Sequence, residues 1–258
     1  MSAAPAPAAA PPPTGGDRGV GRWFRGRVTP GFFAHLFKAI CKQHHRELLP
    51  LLAPLVAKDA VVFDVGAHAG QFAKLFARLA PQGRVYAFEP GSYARAILRV
   101  AIRLNRFGNV AILPLALGDR CGVAVLTVPV KRSGSYGFGL SHLGGGGGRP
   151  AEVELVSLAT LDAVVEALQL DRLDFIKADI EGFELRLIEG AAASLTRLRP
   201  VLLLEMNEAH LTRTGDSFAA AWQRLVDLGY RPYEAGTRPD VPLTSPREGD
   251  VLWRPAPR

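Results

Sequence analysis

The sequence predicts an open α/β fold, a doubly wound and mostly parallel sheet covered by helices. Three observations point there. Short apolar runs such as Val61–Val65 and Val201–Leu204 read as strands buried on both faces. Stretches between such runs repeat their apolar residues at helical spacing, as Phe72, Leu75, Phe76 and Leu79 do. Strand and helix then alternate along the chain, the pattern of right-handed βαβ units.

Residues 1 to about 22 are rich in Ala, Pro and Gly and are expected to be disordered. Residues 23–258 are read as one domain with an N-terminal helical extension. Thr29-Pro30 predicts an N-cap followed by a first-turn proline. The helix beyond it carries Phe32, Phe33, Leu36, Phe37 and Ile40 on one side, ends near Pro50, and packs beside the sheet or over the mouth of a site. Next come a strand at 61–65, a helix at 71–79, a strand at 84–88, a helix at 93–105 and a strand at 110–115. The segments 123–128 and 152–157 read as strands of a different kind. The loop between them holds Ser133, Ser135, Tyr136, Ser141, His142 and the run Gly144–Gly148, and is either functional or a linker. A helix at 161–168, a strand at 173–178, a short helix from Phe183, a strand at 200–205 and a helix at 218–228 follow. The pieces 231–233 and 251–253 are expected as edge strands.

With 258 residues and 48% hydrophobic content the chain can bury a substantial core, and no apolar run approaches a membrane span. The net charge of +7 is mostly scattered arginine. Its one cluster, Arg18, Arg22, Arg25 and Arg27 around Trp23 and Phe24, could touch RNA or an anionic membrane but is read as a solvated tail junction, so no nucleic-acid partner is expected. Cys41 and Cys121 form neither a close pair nor a metal-ligand pattern, which suits a reducing cytoplasm. The N-terminus lacks the basic region and leucine-rich core of a secretory signal.

The functional signal lies at strand ends. Val61-Val62-Phe63-Asp64-Val65-Gly66-Ala67-His68-Ala69-Gly70 reads as a strand running through a glycine turn into a helix, and Arg84-Val85-Tyr86-Ala87-Phe88-Glu89-Pro90 as a second strand ending in an acid. At Gly66 a Cβ would strain the turn or block a ligand lying on it. Glu89, nineteen residues after Gly70, can accept both ribose hydroxyls of a nucleoside cofactor. The loop departs from G-x-G-x-x-G, and Asp64 would repel a pyrophosphate. A cofactor carrying a sulfonium and an ammonium tolerates that acid, so S-adenosylmethionine is expected. A βα turn without a ligand is the structural alternative.

A second constellation, Phe175-Ile176-Lys177-Ala178-Asp179-Ile180-Glu181-Gly182-Phe183-Glu184, puts Asp179 at the end of a buried strand. Glu205 ends the next one, with Asn207 and His210 just beyond. Acids at four strand ends are costly to cluster unless a cation, a proton or a polar ligand is shared. Asp179 and Glu181 are the candidate general bases, with His142 and His210 behind them. Glu181 could instead cap the helix near Phe183. A magnesium ion held by Asp179, Glu181 and Glu205 is an alternative that spacing cannot establish, so no metal is assigned.

These blocks, together with Ala116-Leu117-Gly118-Asp119, resemble the FkbM-type methyltransferases from about Val61 to Asn207. The resemblance implies a class I methyltransferase (Rossmann-like) fold that uses S-adenosylmethionine. It implies methylation of a hydroxyl on a small molecule, sugar, glycan or other natural product. Asp64, Gly66, Ala67 and Gly70 then match the cofactor loop, Glu89 the ribose acid, Ala116 and Leu117 the adenine wall, and Asp179 and Glu181 the acidic block. Methylation of nitrogen or of a macromolecule is the alternative within this reading. A NAD-dependent oxidoreductase and a binding module without catalysis stand further off, the first opposed by the missing G-x-G-x-x-G and by Asp64.

Overall fold

The computed structural model describes residues 22–23, 30–129, 142–143, 151–236 and 240–257. The Ala/Pro-rich tail, Thr29, the arginine cluster apart from the backbone at 22–23, and most of the 130–150 loop lie outside the described residues. In chain order the strands are β1 Arg22–Trp23, β2 Val61–Val65, β3 Arg84–Phe88, β4 Val110–Leu113, β5 Leu115–Leu117, β6 Gly122–Pro129, β7 His142–Leu143, β8 Ala151–Ala159, β9 Phe175–Ala178, β10 Val201–Met206, β11 Tyr230–Glu234 and β12 Gly249–Pro255. The helices are α1 Pro30–Cys41, α2 Leu49–Leu52, α3 Gln71–Leu79, α4 Ser92–Leu104, α5 Leu161–Ala167, α6 Glu184–Glu189, α7 Ala192–Leu198, α8 Glu208–Arg213 and α9 Phe218–Asp227.

The main sheet runs β11-β12-β10-β9-β2-β3-β4. Neighbours from β10 to β4 are parallel, and β12 lies antiparallel to both β10 and β11. A mostly parallel α/β sheet is therefore present. Alternation along each strand divides two cores. Phe63, Val65, Ile176, Ala178, Leu202 and Leu204 face α5, α6, α7 and α9, whereas Val62, Phe175 and Leu203 face α3 and part of α4. A smaller sheet, β1-β8-β6-β7 with β5 beside β8, packs Ala116, Leu126, Val156 and Leu158 against Tyr93, Ile97 and Ala101 of α4.

Four expectations are corrected. The strand expected at 110–115 breaks at Pro114: β4 stays in the main sheet, while β5 leaves it to pair with β8. Proline has no N–H to continue a ladder. The helix expected from residue 30 to Pro50 stops at Cys41 and resumes only as a 3₁₀ turn, Arg46–Leu48, and α2. His45, between them, takes a left-handed conformation (φ 61°) that no helix continues through. Phe33 and Phe37 do not join Phe32, Leu36 and Ile40 on the packed side, being 60% and 62% exposed. Finally, β12 is no edge strand. It enters between β10 and β11, which explains why Val251, Leu252 and Trp253 are fully buried.

Trp253 packs edge-on to Trp222 at 4.7 Å between centroids and closes the core beneath α9. Trp253→Ala is expected to lower unfolding free energy by about 3–5 kcal/mol, the range for truncating a large buried aromatic. Urea denaturation followed by circular dichroism measures it. A loss near zero would mean that β12 contributes no packing to the sheet.

Candidate active site

The carboxyl ends of β2, β3 and β9 converge on two adjoining cavities. The first is lined by Val65, Gly66, His68, Phe88, Glu89, Pro90, Leu115, Ala116, Leu117, Leu126, Leu143, Asp179 and Ile180. The second lies under α1 and is lined by His35, Lys38, Ala39, His44, His45, Gly66, Ala67, His68, Ala69, Gln71, Phe72, Lys177 and Asp179. Gly66, His68 and Asp179 belong to both walls.

The glycine turn is shaped for close approach. Gly66 has φ +78°, and a Cβ there would stand 2.1 Å from the Asp179 carbonyl oxygen. The Gly66 and Ala67 amides donate to the Phe88 carbonyl at 3.1 and 2.9 Å, folding the loop over the end of β3. Gly70, with φ +84°, opens α3, and a Cβ would meet Leu98 Cδ1 at 2.4 Å. Ala67 is buried behind the loop.

Glu89 is 5% exposed and accepts from the His68 amide (2.8 Å, Oε2) and the Gly91 amide (2.8 Å, Oε1). Burial raises its pKa, while His68 and the two amides oppose the rise. Each carboxylate oxygen has two lone pairs, so both retain capacity for a ribose hydroxyl. Ala116 and Leu117, on β5, supply an apolar wall opposite the turn. These features fit a nucleoside, with its ribose at Glu89 and its base against Ala116 and Leu117.

Asp64 is fully buried, and neither carboxylate oxygen has a hydrogen-bond partner. Burial pushes its pKa up to about 6, against the pull of Lys177, its cross-strand neighbour on β9. Asp64 lines neither cavity, so the charge it answers is that of Lys177 beside it in the sheet and not one brought by a ligand.

Asp179 follows β9 by one residue. Its Oδ2 lies 3.2 Å from the Nζ of Lys177, which is buried and also stands 4.7 Å above the Phe72 ring. Burial pushes the Asp179 pKa up, but Lys177, His68 and contact with Glu205 outweigh it and hold the carboxyl below its usual range. Glu205 is driven the other way, by burial first and then by Asp179.

Glu181 behaves differently. It lines neither cavity; its Oε2 lies 3.2 Å from His210 Nδ1 and 3.6 Å from Arg213. The turn that carries it is left-handed at Glu181 (φ 56°) and at Gly182, where a Cβ would strike the His210 carbonyl at 2.2 Å. Arg213 donates to the Glu181 carbonyl and the Thr214 hydroxyl to that of Gly182, both at 2.7 Å. The turn is fastened to α8, an element not expected from the sequence. The acid serving the start of the next helix is Glu184, whose Oε1 accepts from Ile180 and Gly182. His210 is likewise committed to Glu181, and the side chain of His142 lies outside the described residues. Among the described residues no three His, Cys, Asp or Glu side chains group as a metal set, so Asp179, Glu181 and Glu205 do not converge as one.

Sequence reasoning missed His68, Lys177, Phe72 and His45. A lysine inside a buried strand was the available signal for Lys177. His45 gave none, because its stack on Phe72 (4.5 Å, 20° between planes) depends on where the chain turns after α1.

The Methyltransferase FkbM domain model matches residues 64–232, more than half of the chain. AMB antimetabolite synthetase AmbE of Pseudomonas aeruginosa is 30% identical over 218 residues, covering 72% of this chain and 10% of that protein. The methyltransferase sdnD of Sordaria araneosa is 28% identical over 181 residues (60% of this chain, 67% of that one). The 2-O-methyltransferase NoeI of Sinorhizobium fredii is 26% identical over 168 residues (60% and 65%). The chain therefore spans a tenth of the first relative's length and about two thirds of the other two. Among solved structures, methyltransferase FkbM from Methylobacillus flagellatus is 16% identical with a TM-score of 0.49, over 77% of this chain and 44% of that one. The matched segment takes in the glycine turn, Glu89 and Asp179 and covers more than half of the chain: the chain belongs to the FkbM methyltransferases, and S-adenosylmethionine is its cofactor.

Proposed function

We propose that the protein methylates a hydroxyl oxygen of a small molecule, sugar or natural product seated in the cavity under α1. One observation carries this reading: Asp179 stands in the wall shared by the two cavities, where a carboxylate can reach an acceptor while the cofactor lies alongside. The printed name of NoeI, a 2-O-methyltransferase, agrees with oxygen as the acceptor atom.

Bound S-adenosylmethionine supplies an electrophilic methyl group on a sulfonium. Glu89 holds the ribose, Gly66 lets the backbone lie close, and Ala116 and Leu117 flank the base. The acceptor is confined between α1, Phe72 and the His44–His45 segment, so its approach is restricted before reaction. Such alignment is worth up to roughly 7–11 kcal/mol of the barrier. Asp179 needs only modest basicity. An oxygen gaining a methyl group becomes strongly acidic, and a carboxylate kept ionised by Lys177 can take its proton as the bond forms. The unpaired, exposed Cys41 and Cys121 are compatible with the reducing cytoplasm assigned from sequence.

The direct test offers the enzyme methyl-labelled S-adenosylmethionine with hydroxylated sugars and natural-product fragments and with their amine counterparts, and reads products by mass spectrometry. Label on oxygen is expected. Label only on the amines would overturn the assignment.

Three variants probe the parts. Glu89→Ala should weaken cofactor binding by about 1.5–3 kcal/mol, the scale of hydrogen bonds to a charged group, and calorimetry reads it. Unchanged affinity would take Glu89 out of the site. Asp179→Asn should lower turnover by about 10²–10⁴-fold while cofactor affinity holds. Wild-type turnover would dismiss Asp179 as the base. Asp64→Asn tests the buried charge. Because the folded pKa is raised, the native state binds this proton more tightly than the unfolded chain does. Stability is therefore present below about pH 4 and declines as pH rises through about 6. The decline from this group comes to about 3 kcal/mol at pH 7 and should be missing from the Asn variant in urea titrations across that range. A variant that follows the wild-type slope would exclude Asp64 as its cause.

A further inference from the structure

Strand register gathers a row of ionisable side chains on one face of the main sheet. Residues two apart on a strand share a face, as do residues paired directly across neighbouring strands. Asp64 pairs with Lys177, and Lys177 with Leu203. Two positions further on stand Asp179 and Glu205, and Glu205 pairs with Asp250 on β12. Four carboxyl groups therefore surround one ammonium. His68, from the turn after β2, lines the same walls as Asp179, and the charges of His68 and of His45 act on Asp179 and Asp250 respectively.

The register that pairs Leu204 with Ala178 sets Glu205 beside Asp179 at the next position, and each carboxyl shifts the titration of the other. Two ionised carboxylates repel and have no hydrogen to share, so neighbours on one face are favoured with a proton between them. Its location follows from the neighbours. Lys177 lies 3.2 Å from Asp179 and favours the charge there, whereas Glu205 has Asp250 as its cross-strand neighbour.

We propose that Asp179 and Glu205 act as one unit holding a single proton. Glu205 is the positioning residue: it donates that proton to one lone pair of Asp179 and turns the remaining ones toward the acceptor cavity. The proposal rests on Asp179 being the base. It extends that reading, because the titrating group becomes a pair spread over β9 and β10. Asp179 stays ionised on the acid side of neutrality while Glu205 keeps its proton above the ordinary carboxyl range.

Infrared spectroscopy of the full chain tests this without an acceptor. At neutral pH the wild type should show the carbonyl stretch of a protonated carboxylic acid that Glu205→Gln removes. Asp64 and Glu184, also with raised pKa, contribute to both spectra and cancel in the difference. In Asp179→Asn the Glu205 band should vanish at lower pH than in the wild type, because its anionic neighbour is gone. Absence of any band lost in Glu205→Gln would overturn the proposal. So would a Glu205 titration that Asp179→Asn leaves in place, since burial alone would then account for it. If Glu205→Gln does not fold, the Asp179→Asn titration decides alone. Methyl transfer by Asp179→Asn, measured separately, judges the base assignment and not the shared proton.

Discussion

The ammonium of Lys177 is the fixed point of the site. It is a buried charge in the middle of a parallel sheet, a placement that costs several kcal/mol unless partners surround it. Those partners are Asp179, the base proposed above, in direct contact, and Asp64 across the strand pair. Without Lys177, the crowded carboxyl groups would repel one another and take up protons. With it, one of them stays ionised at the wall of the acceptor cavity. Phe72 and the Gly66 turn are built around the same centre.

The frame of the molecule was legible because local rules and tertiary needs agree there. β2, β3 and α3 fall at or within a residue of where periodicity places them, and Gly66, Glu89 and Asp179 occupy the strand ends that their spacing implied. Legibility failed where side chains choose between partners. Nothing in D-x-E-G tells which acid turns inward. Asp179 does, whereas Glu181 is drawn to His210 and Arg213 on α8, a helix too short to announce itself by periodicity. The position of β12 could not be read either. An apolar strand looks alike at an edge and at the interior of a sheet, and only pairing distinguishes them.

The two cavities are built from different parts of the chain. The cofactor side is made from strand ends and a turn whose glycines admit no Cβ. The acceptor side depends on α1, held by Lys74, which donates to the Ala39 and Lys42 carbonyls, and by Gln71, which takes the Gln43 side chain on its carbonyl and the His44 amide on its side chain. Burial and nearby Arg78 lower the Lys74 pKa to about 8, so it holds its proton less tightly than an ordinary lysine. α1 is further seated on α4, where Phe32 meets the Tyr93 ring edge-on and His35 Nδ1 lies 2.9 Å from the Tyr93 hydroxyl.

The insertion of β12 bears on how the protein is made. Strands β10 and β11 come off the ribosome earlier and stand apart until β12 fills the gap between them. Until β12 docks, β10 has a hydrophobic face on each side and an unpaired edge, and such an edge invites pairing with other chains. The carboxyl row is incomplete over the same interval, since Asp250 arrives on the inserted strand. Docking of β12 therefore completes this part of the sheet and the carboxyl row together.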